Sequence, residues 1–433
     1  MATLAAGAAS PADLSPTDPA RPDLAEARAR AYAMPLADID MTDPELFRTD
    51  THWPYFERLR AEAPVHYCAN GRFGPFWSIT RYADIMAVDT NHAVFSSEAI
   101  LGGITARNQD PEFILPMFIA MDPPKHDIQR KAVSPIVSPQ NLVALEVLIR
   151  ERAQAIFDNL PVGETFDWVD RVSIELTTQM LATLFDFPWA DRRLLTRWSD
   201  AATADDTLPG NPTKPERQAI LIECLTYFTR LWNERVNAPA GNDLVSMLAH
   251  NPATRDMAPM EYLGNLILLI VGGNDTTRNS ITGGLLFLND NPHEYDRLRA
   301  DPALIETMVP EIIRYQTPLA HMRRTALADV ELGGQTIRKG DRVVMWYVSG
   351  NRDERAIDRP DAFVIDRARP RQHLSFGFGI HRCVGNRLAE IQLKIVWEEI
   401  LKRWPRIDVV GPPRRVASAF VKGYETLPVR IPA

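Results

Sequence analysis

The sequence predicts a mainly α-helical protein that also carries small β-sheets, and three patterns indicate this. Apolar residues recur at the three- to four-residue spacing of amphipathic helices in three stretches: 53–61, 139–160 and 169–185. A longer helical pattern begins at Pro259, which suits a first helical position, and must stop by Pro292. A β-rich patch covers 330–337 and, after a turn at 339–341, 342–348.

The composition is that of an ordinary soluble globular protein. Of 433 residues, 45% are hydrophobic and 24% charged, enough to bury a large core. The net charge of −8, without a basic tract, argues against a nucleic-acid partner. Cys68, Cys224 and Cys383 have neither disulfide-framework nor zinc-site spacing, so we expect a reducing, cytoplasmic compartment. The densest apolar run, 266–271, is too short to span a bilayer, and we expect no membrane anchor.

The chain is expected to form one domain behind a mobile segment. Residues 1–33 are rich in Ala, Pro and Asp and show little periodicity, which predicts a mobile N-terminal arm. No internal repeat is evident, so 34–433 is predicted to be a single catalytic domain. The polar, Pro- and Gly-containing stretch 207–215 is predicted to be a loop between helices.

The long predicted helix contains many glycines. At about 30 residues it would be roughly 45 Å long, enough to cross a domain. Each glycine costs up to about 1 kcal/mol relative to Ala in a helix interior. The helix carries five of them, so close packing or ligand approach is expected at Gly264, Gly272, Gly273, Gly283 and Gly284.

A ten-residue loop, 376–385, precedes the last predicted helix, at about 384–404. A thiolate at Cys383 would be stabilised by the helix N-terminus and by neighbouring cations. The glycines allow the backbone to wrap around the sulfur and to donate N–H groups to it. A lone cysteine is more often a buried free thiol, so the loop carries the hypothesis of an iron ligand.

This loop matches, at every fixed position, the pattern Phe-x-x-Gly-x-(His/Arg)-x-Cys-x-Gly of the cytochromes P-450. From about Pro35 onward the chain resembles soluble bacterial members of that family. The resemblance implies the cytochrome P-450 fold, a triangular helical prism whose long central helix crosses the haem. It also implies haem b with Cys383 as the axial ligand to iron, dioxygen as co-substrate, and further haem contacts at Phe376, Gly377, Gly385, Gly273 and Thr277.

Four basic residues match the family's contacts to the haem propionates. His126 and Arg130 stand four residues apart, as in the His-x-x-x-Arg motif, and His381 and Arg324 match two further positions. The alternative for each is an ordinary surface cation, and Arg323 competes with Arg324 for its role.

Three residues match a structural lock rather than a catalytic group. Glu311 and Arg314 form the family's Glu-x-x-Arg pair, one helical turn apart, and Arg367 stands where its third partner lies. The alternative is a solvated surface pair of little consequence.

The segment 272–277 lies in the middle of the long helix, where the resemblance places the dioxygen site. Small residues would allow dioxygen to approach the backbone, and a Thr hydroxyl can open the helical hydrogen-bond ladder and hold a water. A neighbouring carboxylate can relay protons. Asp275 and Thr276 are therefore the predicted catalytic residues; a capping role is a poor alternative because no helix begins here.

The expected substrate pocket is apolar. Family positions transfer to Ile104, Phe113, Met117, Leu269, Gly272, Leu319, Met322, Phe420 and Val421, and about half of these are expected to be plain core. The strings 265–273, 317–323 and 345–351 resemble the soluble bacterial alkane hydroxylases. That likeness implies terminal hydroxylation of medium-chain alkanes or related compounds, with fatty acids and cyclic hydrocarbons left open.

Two other functions and a partner follow from the same residues. A peroxygenase would be expected to lack the pair Asp275–Thr276, and a haem sensor or carrier would need no proton relay. No flavin or ferredoxin segment is recognised in the chain. Electrons are therefore expected from an iron–sulfur ferredoxin with its NAD(P)H-dependent reductase.

Overall fold

The computed structural model describes residues 24–433 and confirms the mainly helical fold with small sheets. Its α-helices are α1 (Leu24–Ala33), α2 (Pro44–Arg48), α3 (Trp53–Glu62), α4 (Tyr82–Thr90), α5 (Lys125–Val133), α6 (Pro139–Phe157), α7 (Glu175–Leu184), α8 (Arg193–Thr203), α9 (Lys214–Val236), α10 (Leu244–His250), α11 (Pro259–Asp290), α12 (Pro292–Ala300), α13 (Ile305–Gln316), α14 (Tyr347–Gly350) and α15 (Asn386–Arg403). Its strands are β1 (Val65–Cys68), β2 (Phe76–Ile79), β3 (Phe95–Ser96), β4 (Thr165–Asp167), β5 (Met322–Ala326), β6 (Val330–Leu332), β7 (Gln335–Ile337), β8 (Arg342–Met345), β9 (Asp408–Val409), β10 (Arg414–Arg415), β11 (Tyr424–Thr426) and β12 (Pro428–Arg430).

The N-terminal boundary differs from the prediction of a mobile arm over 1–33. Residues 24–33 form α1, which packs on α3 with Ala27 and Ala31 fully buried. The two alanines lie four residues apart on one helix face. So small an apolar stripe is recognisable only once its partner helix α3 is known. For 24–33 the prediction was wrong; the rest of the predicted arm, 1–23, lies outside the described residues.

The largest sheet has the order β1-β2-β8-β5-β3, with β2 and β8 parallel and the other pairs antiparallel. The β-rich patch predicted over 330–337 forms the hairpin of β6 and β7. Gly333 and Gly334 turn the chain there with φ of +58° and +76°. The pair of glycines adopts left-handed backbone at little cost, which breaks the strand in two.

Helix α11 runs through the core, packed against α7, α8, α13 and α15, within one or two residues of its predicted ends. Most of its glycines are explained by close packing. A Cβ on Gly264 would lie 2.0 Å from the Pro116 carbonyl oxygen, and one on Gly283 would lie 2.4 Å from the Gln316 amide. Gly272 is different, because a Cβ on this residue would meet no atom within 4 Å apart from its neighbours in the same helix. Open space therefore lies beside the middle of α11.

The loop predicted at 207–215 ends slightly early, because Thr213 and Glu216 form a capping box and α9 begins at Lys214. Within residues 24–433 no single helix has the length and hydropathy to cross a membrane. One pair, 125–137 with 139–157, meets the criterion jointly on length and composition but is bent by 50°.

Candidate active site

A cavity of about 660 Å³ lies beside the middle of α11. Its wall includes most of the residues predicted for the cofactor and the substrate. They are Ile104, Phe113, Met117, Arg130, Leu269, Gly272, Gly273, Thr276, Thr277, Leu319, Met322, Arg324, Phe376, Gly377, His381, Cys383, Gly385 and Phe420. The cavity thus joins positions more than 300 residues apart in the chain, from Ile104 to Phe420. Of the residues predicted for catalysis, cofactor or substrate, three are absent from its wall: His126, Asp275 and Val421.

Cys383 presents its sulfur to this cavity, so it is accessible although protein surrounds it. Its own N–H donates to the Phe376 carbonyl oxygen at 2.8 Å, which closes the loop. Burial raises the pKa of the Cys383 thiol, while an N–H from Gly385 and the cations Arg130 and Arg382 act in the opposite direction. These donors favour a thiolate, the form in which sulfur binds a metal.

Asp89 holds the cysteine loop in place, and the sequence analysis missed it. Its Oδ2 accepts hydrogen bonds from the Phe378 N–H and the Tyr347 hydroxyl, both at 2.8 Å. Its Oδ1 accepts from Arg324 Nη2 at 2.7 Å. Nothing in the helical pattern of α4 distinguishes this aspartate, because its partners come from elements far along the chain.

The four predicted propionate contacts lie close together: Arg130, Arg324 and His381 line the cavity, and His126 packs against His381. The rings of His126 and His381 are 4.4 Å apart. The Nε2 atoms of both and the Nδ1 atom of His381 are buried without a hydrogen-bond partner. Burial and the nearby Arg324 lower the pKa of His381 to about 2. Unpartnered ring nitrogens beside guanidinium groups fit the anionic carboxylates of a haem.

Strand geometry places Arg324, and not Arg323, at the cavity. Side chains alternate between the two faces of β5, so Met322 and Arg324 line the cavity while Arg323 faces the other way. Arg323 instead donates to the Leu101 carbonyl oxygen at 2.9 Å and to Asn108 Oδ1 at 2.6 Å.

Glu311, Arg314 and Arg367 form a buried cluster away from the cavity wall, as the lock predicts. Arg314 donates to both carboxylate oxygens of Glu311 at 2.7 Å, and Arg367 adds two bonds at 2.9 and 3.1 Å. Burial alone would raise the pKa of Glu311, but the two arginines lower it below its usual value. Arg314 also donates to the carbonyls of Asn351, Pro360 and Ala362, which ties α13 to the chain leading into the cysteine loop.

The two predicted catalytic residues point in different directions. Thr276 lines the cavity, and its hydroxyl donates to the Gly272 carbonyl oxygen at 2.8 Å. Asp275 is fully buried and does not line the cavity; its carboxylate pairs with Arg278 at 2.9 Å and accepts from the Ser199 hydroxyl at 3.1 Å. Burial raises the pKa of Asp275, and Arg278 opposes the rise. Successive residues of a helix point about 100° apart, so the pair shares no direction.

Val421 corrects the predicted substrate set. It forms a β-bridge with Leu319 and is 3% exposed, but only Phe420 of this hairpin pair reaches the cavity. In extended chain, neighbouring side chains face opposite ways, so one of two adjacent residues is core.

One end of the cavity carries a charged rim, which the sequence analysis did not predict. The residues of this rim are Arg107, Asp110, Asp205, Asp206, Lys214 and Arg217.

Comparisons with known proteins agree with this geometry. The cytochrome P450 family model matches residues 234–405. Linalool 8-monooxygenase from Pseudomonas putida is 36% identical over 402 residues, which cover 90% of this chain and 98% of that protein. Steroid C26-monooxygenase from Mycolicibacterium smegmatis is 32% identical over 401 residues, covering 90% and 92% respectively.

Two solved structures extend the likeness. Cytochrome P450-153 from Novosphingobium aromaticivorans is 46% identical with a TM-score of 0.85, and CYP153D17 from Sphingomonas sp. PAMC 26605 is 48% identical with the same score. Each alignment covers 90% of this chain and 98% of the other. The chain therefore belongs to the cytochrome P450 family, as a monooxygenase whose cofactor is haem b with a cysteine thiolate as iron ligand and whose co-substrate is dioxygen.

Proposed function

We propose that this cytochrome P450, with Cys383 as its iron ligand, hydroxylates the terminal methyl group of medium-chain alkanes or related aliphatic compounds. The observation that carries the proposal is the apolar lining between the charged rim and the cysteine loop. Its side chains, apart from the residues assigned to haem and proton delivery, include Phe113, Met117, Leu269, Leu319 and Met322. Such a wall offers a hydrocarbon close packing and no polar partner.

The position of oxygenation must be set by shape. A terminal C–H bond is stronger than an internal one, so intrinsic reactivity favours internal carbons. The proposal therefore requires the walls to admit a chain end-on, methyl group first. Bound haem supplies the activation of dioxygen, and the protein excludes water, orients the chain and delivers protons.

Proton delivery is assigned to Thr276 and Asp275. The Thr276 hydroxyl lies at the cavity, where it can hold a water, and its partner is a main-chain carbonyl of the same helix. Asp275 faces away from the cavity and is linked through Arg278 to Asp200, whose side chain is 54% exposed. The carboxylate would receive protons from the solvent side and must turn to pass them on.

Other substrates and oxidants are the competing candidates. Relatives include a linalool monooxygenase and a steroid monooxygenase, so terpenoid and cyclic compounds, like fatty acids, stay as alternatives. A peroxygenase is disfavoured by Thr276 at the cavity. Bacterial relatives of this type generally use separate electron donors, which supports an iron–sulfur ferredoxin with an NAD(P)H-dependent reductase as partners.

The experiment is product analysis from n-decane with the reconstituted redox chain. We expect mainly 1-decanol, and chiefly internal alcohols would contradict the proposal. Leu319→Ala should widen the wall and lower the terminal fraction. Val421→Ala is the matched control, because Val421 is bridged to Leu319 but does not line the cavity. An arm with hydrogen peroxide in place of NADH tests the peroxygenase alternative.

A further inference from the structure

The apolar cavity ends in the charged rim, and an alkane substrate has no polar group that could bind there. Three carboxylates and three cations line it, from the loop 104–113, the loop after α8 and the first turn of α9. Asn108, Glu112 and Pro209 nearby are exposed, so this end of the cavity lies at the protein surface. A hydrocarbon gives none of these groups a partner.

Most of the rim charges neutralise one another. Arg107 pairs with Asp206 Oδ1 at 2.7 Å, and Lys214 pairs with Asp110 at 2.8 Å. Asp205 pairs with Arg72 at 3.0 Å and also accepts two hydrogen bonds from Thr207. These pairs hold the rim together and leave little capacity for a ligand.

Two side chains of the rim keep unused hydrogen-bonding capacity within the part of the chain that the structure describes. Asp206 Oδ2 has no hydrogen-bond partner, although the side chain of Asp206 is only 5% exposed. Arg217 has no carboxylate within 4.0 Å; its Nε and Nη2 donate to the carbonyls of Ala201 and Ala202 at 3.0 and 3.1 Å. The two residues are close enough for the Asp206 charge to act on the pKa of Arg217. An unused acceptor and an incompletely used donor thus face the same cavity.

We propose that Asp206 and Arg217 form a head-group site for a neutral hydroxyl group carried by an aliphatic substrate. A hydroxyl can donate to Asp206 Oδ2 and accept from the Arg217 guanidinium at the same time. A buried carboxylate oxygen without a donor is costly, so the contact would be a strong, charge-assisted one. A carboxylate head group would instead add a negative charge beside Asp205 and Asp206.

The inference rests on the proposed function, since it assumes an aliphatic chain in the cavity, and it narrows the substrate class. A hydroxyl held at the surface end leaves the remaining chain to follow the apolar wall inward. The end opposite the hydroxyl is then the one presented near Cys383. The preferred substrates would be chains that already carry one hydroxyl group, such as 1-alkanols.

The test measures dissociation constants of n-decane, 1-decanol and decanoate for the holoenzyme, by the substrate-induced absorbance shift and by calorimetry. Asp206→Asn should raise the dissociation constant of 1-decanol about tenfold, which is the scale of a hydrogen bond to a charged group. The dissociation constant of n-decane should change less than about twofold. Arg217→Gln should act in the same direction. Asp205→Asn, the same chemical change at a fully partnered neighbour, should leave the ratio of the two constants unchanged.

Three outcomes would overturn the head-group site. An unaltered 1-decanol affinity in Asp206→Asn would mean that the free oxygen binds water only. Equal losses for 1-decanol and n-decane would mean that the variant merely loosens the rim. A larger effect of Arg217→Gln on decanoate than on 1-decanol would mean an anionic head group. The proposed function is judged separately, by the position of the alcohol made from n-decane.

Discussion

The two ends of the cavity are built in contrasting ways. At the cysteine end, ten consecutive residues carry the ligand, and Asp89 and the buried lock of Glu311 hold the neighbouring chain; the Glu311 and Arg314 side chains are 0% exposed. At the rim, separate loops meet through partly exposed ion pairs, with Arg107 38% and Lys214 49% exposed. Exposed pairs contribute little, whereas breaking a buried one is expensive. The contrast suggests that the cofactor end is rigid and that the rim, where the substrate is selected, is adjustable.

The largest effect is expected at the cysteine itself. Cys383→Ser should abolish the strongly red-shifted absorbance of the ferrous–carbon monoxide complex, because an alcohol cannot replace the thiolate. Cys68→Ser and Cys224→Ser are the controls; both residues are buried and neither lines the cavity. A thiolate spectrum in Cys383→Ser would disprove the assignment of the iron ligand.

Removing Glu311 from the buried cluster with Arg314 and Arg367 should test whether the cysteine end is rigid. Glu311→Ala leaves Arg314 and Arg367 without their shared carboxylate, which should lower the free energy of unfolding by about 3–5 kcal/mol and reduce haem content. Denaturant unfolding and haem absorbance per chain measure the two effects. Glu57→Ala, which breaks the half-exposed pair with Arg28, should cost less than about 1 kcal/mol. Equal costs for the two variants would remove the contrast.

Thr276 should affect coupling rather than stability. Thr276→Ala is expected to keep haem and substrate binding and to go on consuming NADH, while alcohol per NADH falls and hydrogen peroxide rises. Asp275→Asn should slow turnover itself, since positioned proton transfer is typically worth about 10²–10⁴-fold. Thr282→Ala, on the same helix but bonded to Ser173 away from the cavity, is the control. Unchanged coupling in a folded Thr276→Ala variant would end the relay hypothesis.

The smallest effect is a pH dependence near the rim. His321 is buried between two main-chain groups: its Nδ1 donates to the Ala419 carbonyl oxygen at 2.8 Å, and its Nε2 accepts the Ala106 N–H at 3.0 Å. Burial lowers the pKa of His321 to about 4, so the folded state requires the neutral ring. Its contribution is complete above the unfolded-state pKa of about 6.5 and is lost as pH falls toward 4.

His321→Gln should therefore flatten the fall of unfolding free energy between about pH 6.5 and 4, by at most about 1.4 kcal/mol per pH unit. Urea unfolding at several pH values measures this slope. His293→Gln, at a side chain that is 72% exposed, is the control. An unchanged slope in His321→Gln would mean that folding does not lower the pKa of His321.

The chain by itself determined what depends on neighbours in sequence. The ends of α11 follow from local helix signals, and the loop around Cys383 and the pair of Glu311 and Arg314 were recognised from short motifs of the family. Both kinds of signal are local, because helix ends, glycine turns and i, i+3 pairs involve residues close in sequence. The glycines of α11 predicted close packing or ligand approach, but only the structure showed which applies where: Gly264 packs against main chain, and Gly272 borders the cavity.

Tertiary structure decided which side chain of a local pair reaches the site. Thr276 rather than Asp275, Phe420 rather than Val421 and Arg324 rather than Arg323 face the cavity. Each choice depends on the rotation of a helix or the side of a strand, which is set by the packing of the whole domain. Asp206 and Arg217 were beyond prediction for the same reason: they reach the cavity only because the connection between α8 and α9 meets the loop 104–113, about 100 residues earlier in the chain.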